Sequence, residues 1–255
     1  MERNSLNMVI DIETTDAPMA SVLHEQALVK PNANTKDFLK KEKQIAEKSA
    51  KLQEGAALLD SAPVIIIGGI AGGVTFQIFS APAVGFAIPG VSLFPMSDER
   101  QVLLCFAYLL EALPGVCFVG HNVEKRYNGT GFDLPHLRFR YAFHGLAIPA
   151  AMSPFHTRSL DLMELYFRSS NTKKDIFMRL EEMAQRLGVT DKPFPLTGKD
   201  VPTLWQAGNV EACLLKNHYD LLLTQQVFGR LHHDDCKRGC EIYDKKCWHG
   251  RDGRG

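Results

Sequence analysis

The sequence predicts a mixed α/β fold, one sheet with helices packed on it. Short apolar, β-branched runs recur along the chain, at Met8 to Ile12, Val64 to Ile67 and Val116 to Val119. Longer segments carry helical apolar periodicity, clearest from Val102 to Leu113 and from Val210 to Leu231. The order of the two kinds is strand, insert, two strands, helix, strand, helix, strand, helices, which suits a mixed sheet with helices on it.

The elements follow in order. Met8 to Thr15 reads as a strand, with Asp11 and Glu13 two residues apart and therefore on one face. A lysine-rich insert, about residues 32–60, reads as a surface helix with Phe38, Ile45 and Leu52 every seven residues. Its solvated basic face could also follow a phosphate backbone. Pro63 to Ile70 and Gly73 to Ser80 flank a Gly-Gly turn and read as an antiparallel hairpin. Ala81 to Met96 reads as a loop or irregular strand. Ser97 is the expected N-cap of a helix that Pro114-Gly115 ends. Val116 to Val119 is a buried strand leading to Gly120-His121-Asn122, and Asn128-Gly129 marks a turn. Phe132 to Gly145 reads as a helix, Ser159 to Met163 as a strand, Ile176 to Leu187 as an amphipathic helix, and Val210 to Leu231 as the last long helix.

The chain has 255 residues, 45% hydrophobic and 23% charged, an ordinary globular composition. We read residues 1–231 as one domain and 232–255 as a polar, mobile tail. With 29 basic and 29 acidic residues the formal charge is zero, so overall charge argues neither for nor against a nucleic-acid partner. The most apolar regions are interrupted by Gly and Pro, so no membrane helix is expected. The N-terminus shows no export signal and the six cysteines form no disulfide-like framework, so a cytoplasmic, reducing setting is expected.

Adjacent carboxylates such as Asp11 and Glu13 resist joint ionisation, and a hard divalent cation removes that conflict. The pair therefore reads either as half of a metal site or as an edge strand with a solvated acidic face. Asp133 opens a helix after a strand and loop, where a carboxylate can complete a cation site. Asp220 lies within an apolar helix, on a face with Lys216 and Thr224, and its local pattern fits ligation or simple exposure.

Three groups of residues together carry a resemblance. They are Asp11-Ile12-Glu13-Thr14, then Gly120-His121-Asn122 with Phe132-Asp133-Leu134-Pro135-His136, then Asp220-Leu221-Leu222-Leu223-Thr224. The chain resembles the DEDD 3′–5′ exonucleases of the ribonuclease H-like superfamily, especially the stand-alone relatives of family B polymerase proofreading domains. The resemblance spans Met8 to about Leu231. It implies a ribonuclease H-like fold and hydrolysis at the 3′ end of single-stranded DNA, with RNA as the close variant. It further implies two magnesium or manganese ions held by Asp11, Glu13, Asp133 and Asp220, about 4 Å apart. Asp11 would be shared. Glu13 would orient the attacking water, Asp220 would close the first ion's shell, and Asp133 would serve the second directly or through water. Thr14 and Asn122 would contact the terminal nucleotide or its phosphate, and Phe132 would either stack a base or fill the core.

One feature departs from that pattern. Relatives carry a tyrosine four residues, or a histidine five residues, before the last aspartate. Here those positions are Lys216 and Leu215. His218 and Tyr219 point elsewhere on a helix. Lys216 acts with its pKa lowered by burial or stays charged against the phosphate, the bound water needs no side-chain base, or the protein is a nucleic-acid-binding module on the same fold. In the tail, Cys236, Cys240, Cys247 and His249 lack the close spacing of a zinc knuckle, and no zinc is expected there. Protein partners are not legible.

Overall fold

Strand β1 (Asn7–Thr14) sits inside a six-stranded sheet and sends its side chains two ways. Met8, Ile10 and Ile12 enter a core shared with Phe106, Phe118, Leu134 and Tyr141. Val9 enters a second core on the opposite face, with Val119, Leu162, Met183, Leu221 and Val227. Asp11 and Glu13 share that second face by the two-residue alternation of a strand. This structure, a computed structural model, describes residues 6–30, 32, 37–54, 61–82, 85–124, 132–169, 178–190 and 194–243. Within them the side chains at 20, 38–39, 52–54 and 233–243 lie outside the description.

β1 pairs antiparallel with β2 (Val64–Ala71), which pairs antiparallel with β3 (Val74–Phe79). The β2–β3 hairpin is the one expected. Gly72 and Gly73 have φ of 57° and 81°, the two left-handed residues that a tight turn matching strand twist requires. β4 (Val91–Pro95) pairs parallel with β3 and forms one edge, so the expected irregular stretch ends in a strand. Its proline is tolerated because an edge strand need not donate on both sides. On the other side of β1 lie β5 (Cys117–Gly120) and β6 (Arg158–Asp161), both parallel, giving the order β4-β3-β2-β1-β5-β6. The fold is the α/β, ribonuclease H-like class implied by the sequence.

The first helices differ from expectation in instructive ways. α1 (Met19–Ala27) escapes a periodicity reading, since Val22 is its main buried residue. It holds α2 (Phe38–Glu54), the lysine-rich helix, through Gln26 Nε2 donating to Ser49 O at 3.1 Å and Lys48 Nζ to Lys30 O at 2.8 Å. Of the expected stripe, Ile45 is half-buried, while the Phe38 and Leu52 side chains lie outside the description. α3 (Glu99–Glu111) is capped by Asp98 rather than Ser97. The Asp98 carboxylate accepts from Gln101 N at 2.9 Å, and the Ser97 hydroxyl instead donates to Asp98 at 3.0 Å. α4 (Asp133–Phe143) packs with α3 over the Met8/Ile10/Ile12 face. Each large aliphatic or aromatic side chain fully buried there contributes about 1.5–3 kcal/mol.

The expected strand at Ser159 to Met163 stops at Asp161 and becomes α5 (Leu162–Ser169). α6 (Leu180–Arg186) falls within the expected amphipathic segment, and α7 (Val201–Gln206) is an addition. α8 begins at Val210 as expected but runs beyond Leu231 to Tyr243. It crosses the second face of the sheet and contacts β1, β2 and β5. Among the described residues no helix is long and apolar enough to cross a membrane.

Candidate metal centre

The acids gather where β1 passes under α8. Asp11 and Glu13 come from the strand and Asp220 from the helix, and one carboxylate oxygen of each lies within 4.8 Å of the others. Gly68 permits this approach. It pairs with Asp11 in the neighbouring strand, and a Cβ there would stand 2.0 Å from Asn217 Oδ1 and 2.8 Å from Leu221 Cδ1 on α8. A larger residue at 68 would displace the Asn217 and Leu221 side chains.

Burial raises all three carboxyl pKa values, and repulsion within the trio adds to it at Asp11 and Glu13. Burial, then the Asp220 charge, push Asp11 up to about 8, while Lys216 and a hydrogen bond from Asn217 pull it back. Burial, then Asp11 and Asp220, hold Glu13 well above the usual range. Asp220 is raised chiefly by burial, against the opposing pull of Lys216. Asp220 Oδ1 is buried with no hydrogen-bond partner in the protein. Three clustered carboxylates, one of them with an unpartnered buried oxygen, fit a divalent cation such as magnesium or manganese.

Asp133 stands slightly apart. It is the first residue of α4 and 6% exposed, and it lies outside the tight trio. Burial, then the charges of Asp11, Asp161 and Asp220, hold its carboxyl well above the usual range, so it belongs to the same electrostatic site. The local pattern at Asp220 allowed exposure on a solvent face. The structure instead turns that residue inward, its side chain 13% exposed.

Lys216 is 2% exposed and donates a hydrogen bond to Asp220 Oδ2 on the next turn of α8. Its Nζ is 4.0 Å from Glu181 Oε1. Burial works to lower its pKa, but Asp220, Glu13, the hydrogen bond and Asp11 together outweigh burial, and the net shift is upward. The reading in which burial lowers this pKa is therefore corrected: the ammonium is held charged. Leu215 is 39% exposed, and Tyr219 stacks on Phe194 at 4.8 Å, so neither supplies the missing base.

Thr14, Asn122 and Phe132 are the remaining candidates. Thr14 ends β1 and is buried. Asn122, with φ of 62°, turns the chain after β5 in a conformation asparagine tolerates, and its carbonyl accepts from Phe132 N at 2.8 Å. Phe132 stacks on His136 at 4.8 Å and packs against the core. The turn at Asn128-Gly129 lies outside the described residues, as do Cys247, His249 and the side chains of Cys236 and Cys240.

Asn217, Gln77 and Gly68 were not singled out in the sequence. Asn217 Nδ2 donates to Asp11 Oδ2 at 2.7 Å. The available signal was an amide within an apolar strand, Gln77 between Phe76 and Ile78, and a second amide, Asn217, three residues before Asp220.

Residues 123–249 match a family described as a predicted 3′–5′ exonuclease related to the exonuclease domain of PolB. The match contains Asp133, Lys216 and Asp220, begins after Asp11 and Glu13, and reaches past Leu231 into the C-terminal segment. No curated protein matches the chain.

Proposed function

We propose that this chain, similar over residues 123–249 to predicted 3′–5′ exonucleases related to the PolB exonuclease domain, is itself a metal-dependent 3′–5′ exonuclease. Its substrate would be the 3′ end of single-stranded DNA, with RNA as the close variant. The observation that carries the reading is the clustered trio Asp11, Glu13 and Asp220, with Asp220 Oδ1 buried and unpartnered. Four acids converge from β1, α4 and α8 although each is costly to ionise there, and a fold without a cation gains nothing from that arrangement.

Asp11, Glu13 and Asp220 would hold one divalent ion, with Asp133 serving a second. When bound, such a pair supplies Lewis-acid activation of water and stabilises the leaving 3′ oxygen in an in-line displacement. Glu13, on β1, would orient the water. Lys216, charged and fixed on Asp220, has no lone pair to take a proton and acts by attracting the phosphate and balancing the acids. Thr14 and Asn122 would hold the terminal nucleotide, and Phe132 has only the ring face away from His136 to offer a base. The free thiols Cys105, Cys117 and Cys213 fit a reducing, cytoplasmic setting.

The same charged lysine favours a second reading, a nucleic-acid-binding module without turnover, since the positions where relatives carry a tyrosine or a histidine hold Lys216 and Leu215. Incubation with a 3′-end series of labelled single strands and Mn²⁺ or Mg²⁺ separates the two. Stepwise shortening supports the enzyme; retention of intact strands on the protein supports the module.

A further inference from the structure

We propose that Asn217 is a positioning residue for Asp11, held by Gln77 across a slot that Gly68 leaves in the sheet. The proposal rests on the metal-dependent reading above. Asp11, Gly68 and Gln77 pair directly across β1, β2 and β3, so they form one row on one face of the sheet. Asn217 on α8 lies over the middle of that row. Its Nδ2 donates to Asp11 Oδ2 at 2.7 Å and to the Asp11 carbonyl at 3.4 Å. Its Oδ1 accepts from Gln77 Nε2 at 2.8 Å, and the same Nε2 donates to Leu214 O at 2.8 Å.

The polarity of this chain of bonds is set at its far end. A backbone carbonyl can only accept, so Leu214 O fixes the NH₂ group of Gln77 toward α8. Gln77 then meets Asn217 as a donor, which leaves the NH₂ of Asn217 facing Asp11. Asn217 and Gln77 are both fully buried. Gln77 Oε1 has no partner, a penalty that an apolar residue at 77 would avoid, so packing alone does not account for this amide pair. One hydrogen bond occupies one of the several lone-pair sites of a carboxylate, so Asn217 can orient Asp11 and leave it able to bind an ion. Being neutral, it does so without cancelling the charge that attracts the ion. Gly68 completes the device, because a side chain there would occupy the place of Asn217 Oδ1, at 2.0 Å.

The test measures Mn²⁺ affinity of the full metal-free chain by calorimetry, with unfolding followed in parallel. Asn217→Ala is expected to keep a cooperative transition and bind Mn²⁺ about tenfold or more weakly, the usual loss when a ligand's orienting partner is removed. Gly68→Ala should shift affinity the same way by displacing Asn217, and Gln77→Met should give a smaller loss. In hydrolysis assays excess Mn²⁺ should restore the rate of Asn217→Ala, which a merely damaged fold would not show. Wild-type affinity in Asn217→Ala would overturn the proposal. Should that variant not fold, Gln77→Met carries the same comparison. If the wild type binds no Mn²⁺, the functional reading fails, and the positioning claim is decided by exchange of the Asn217 side-chain amide protons. Slow exchange that speeds at least about tenfold in Asp11→Ala upholds the bond; equal exchange rejects it.

Discussion

Lys216 donates to Asp220 one turn later on α8, and this pair places a buried positive charge against the carboxylate trio. It is the protein's own counter-charge to Asp11, Glu13 and Asp220. Breaking a buried pair from one side leaves an uncompensated charge, typically at a cost of about 3–5 kcal/mol. Lys216→Met is therefore expected to destabilise the metal-free protein by about 3 kcal/mol. Saturating Mn²⁺, which replaces the lost cation, should return most of that. Urea unfolding with EDTA and with Mn²⁺ checks it, and equal stability of the two proteins under both conditions would contradict the assignment.

The raised pKa of Asp11 sets a pH dependence with a definite sign. Its folded value, about 8, lies above the ordinary aspartate value of 3.8. Below 3.8 the group is protonated in both states, and its stabilising contribution is complete. As pH rises toward 8 the unfolded chain releases the proton and the folded chain retains it, so stability falls. The metal-free wild type should therefore lose stability between pH 5 and 8 relative to Asp11→Asn, as measured by thermal unfolding in EDTA. A difference between the two proteins that stays flat with pH would contradict the burial described here.

Asp133 lies outside the tight trio yet within its electrostatic reach. Asp133→Asn is expected to leave the first Mn²⁺ affinity nearly unchanged while slowing hydrolysis at least about a hundredfold, some 3 kcal/mol of barrier. Calorimetry and a single-turnover assay on the same preparation separate the two effects. Parallel loss of binding and rate would move Asp133 into the first ion's ligand set.

A control lies on the other face of the sheet. Glu99 accepts from Arg140 Nε at 2.7 Å, Arg140 Nη2 at 2.6 Å, His144 Nε2 at 2.7 Å and Val64 N at 2.7 Å, tying α3 to α4 and β2. Glu99→Ala removes the carboxylate partner of the buried Arg140 charge and should cost about 3 kcal/mol or more. Mn²⁺ affinity per folded molecule should not change. A selective loss of affinity would show that the two faces are coupled.

Local signals revealed much of the frame and part of the site. The alternation in β1, the Gly72-Gly73 turn and the apolar spacing of α3 and α8 are short-range features, so they were readable. The Asp98 cap was not, because Ser97 and Asp98 are adjacent and both are good caps. Asp11 and Glu13 were visible as a pair because strand periodicity alone puts them on one face. Asp220 needed the family resemblance, since a lone acid in a helix is compatible with solvent. Asn217, Gln77 and Gly68 were hidden for a different reason. Their relation exists only through the register of β1, β2 and β3 and the path of α8, and no spacing along the chain encodes it.

The central claim is that the trio on β1 and α8 supports hydrolysis at a 3′ end. The most direct measurement follows a 5′-labelled single-stranded DNA incubated with the full chain and Mn²⁺, beside Asp11→Ala. Stepwise shortening from the 3′ end by the wild type, absent in the variant and abolished by EDTA, is the predicted result. Strands left intact under every divalent ion, with binding preserved, would contradict it.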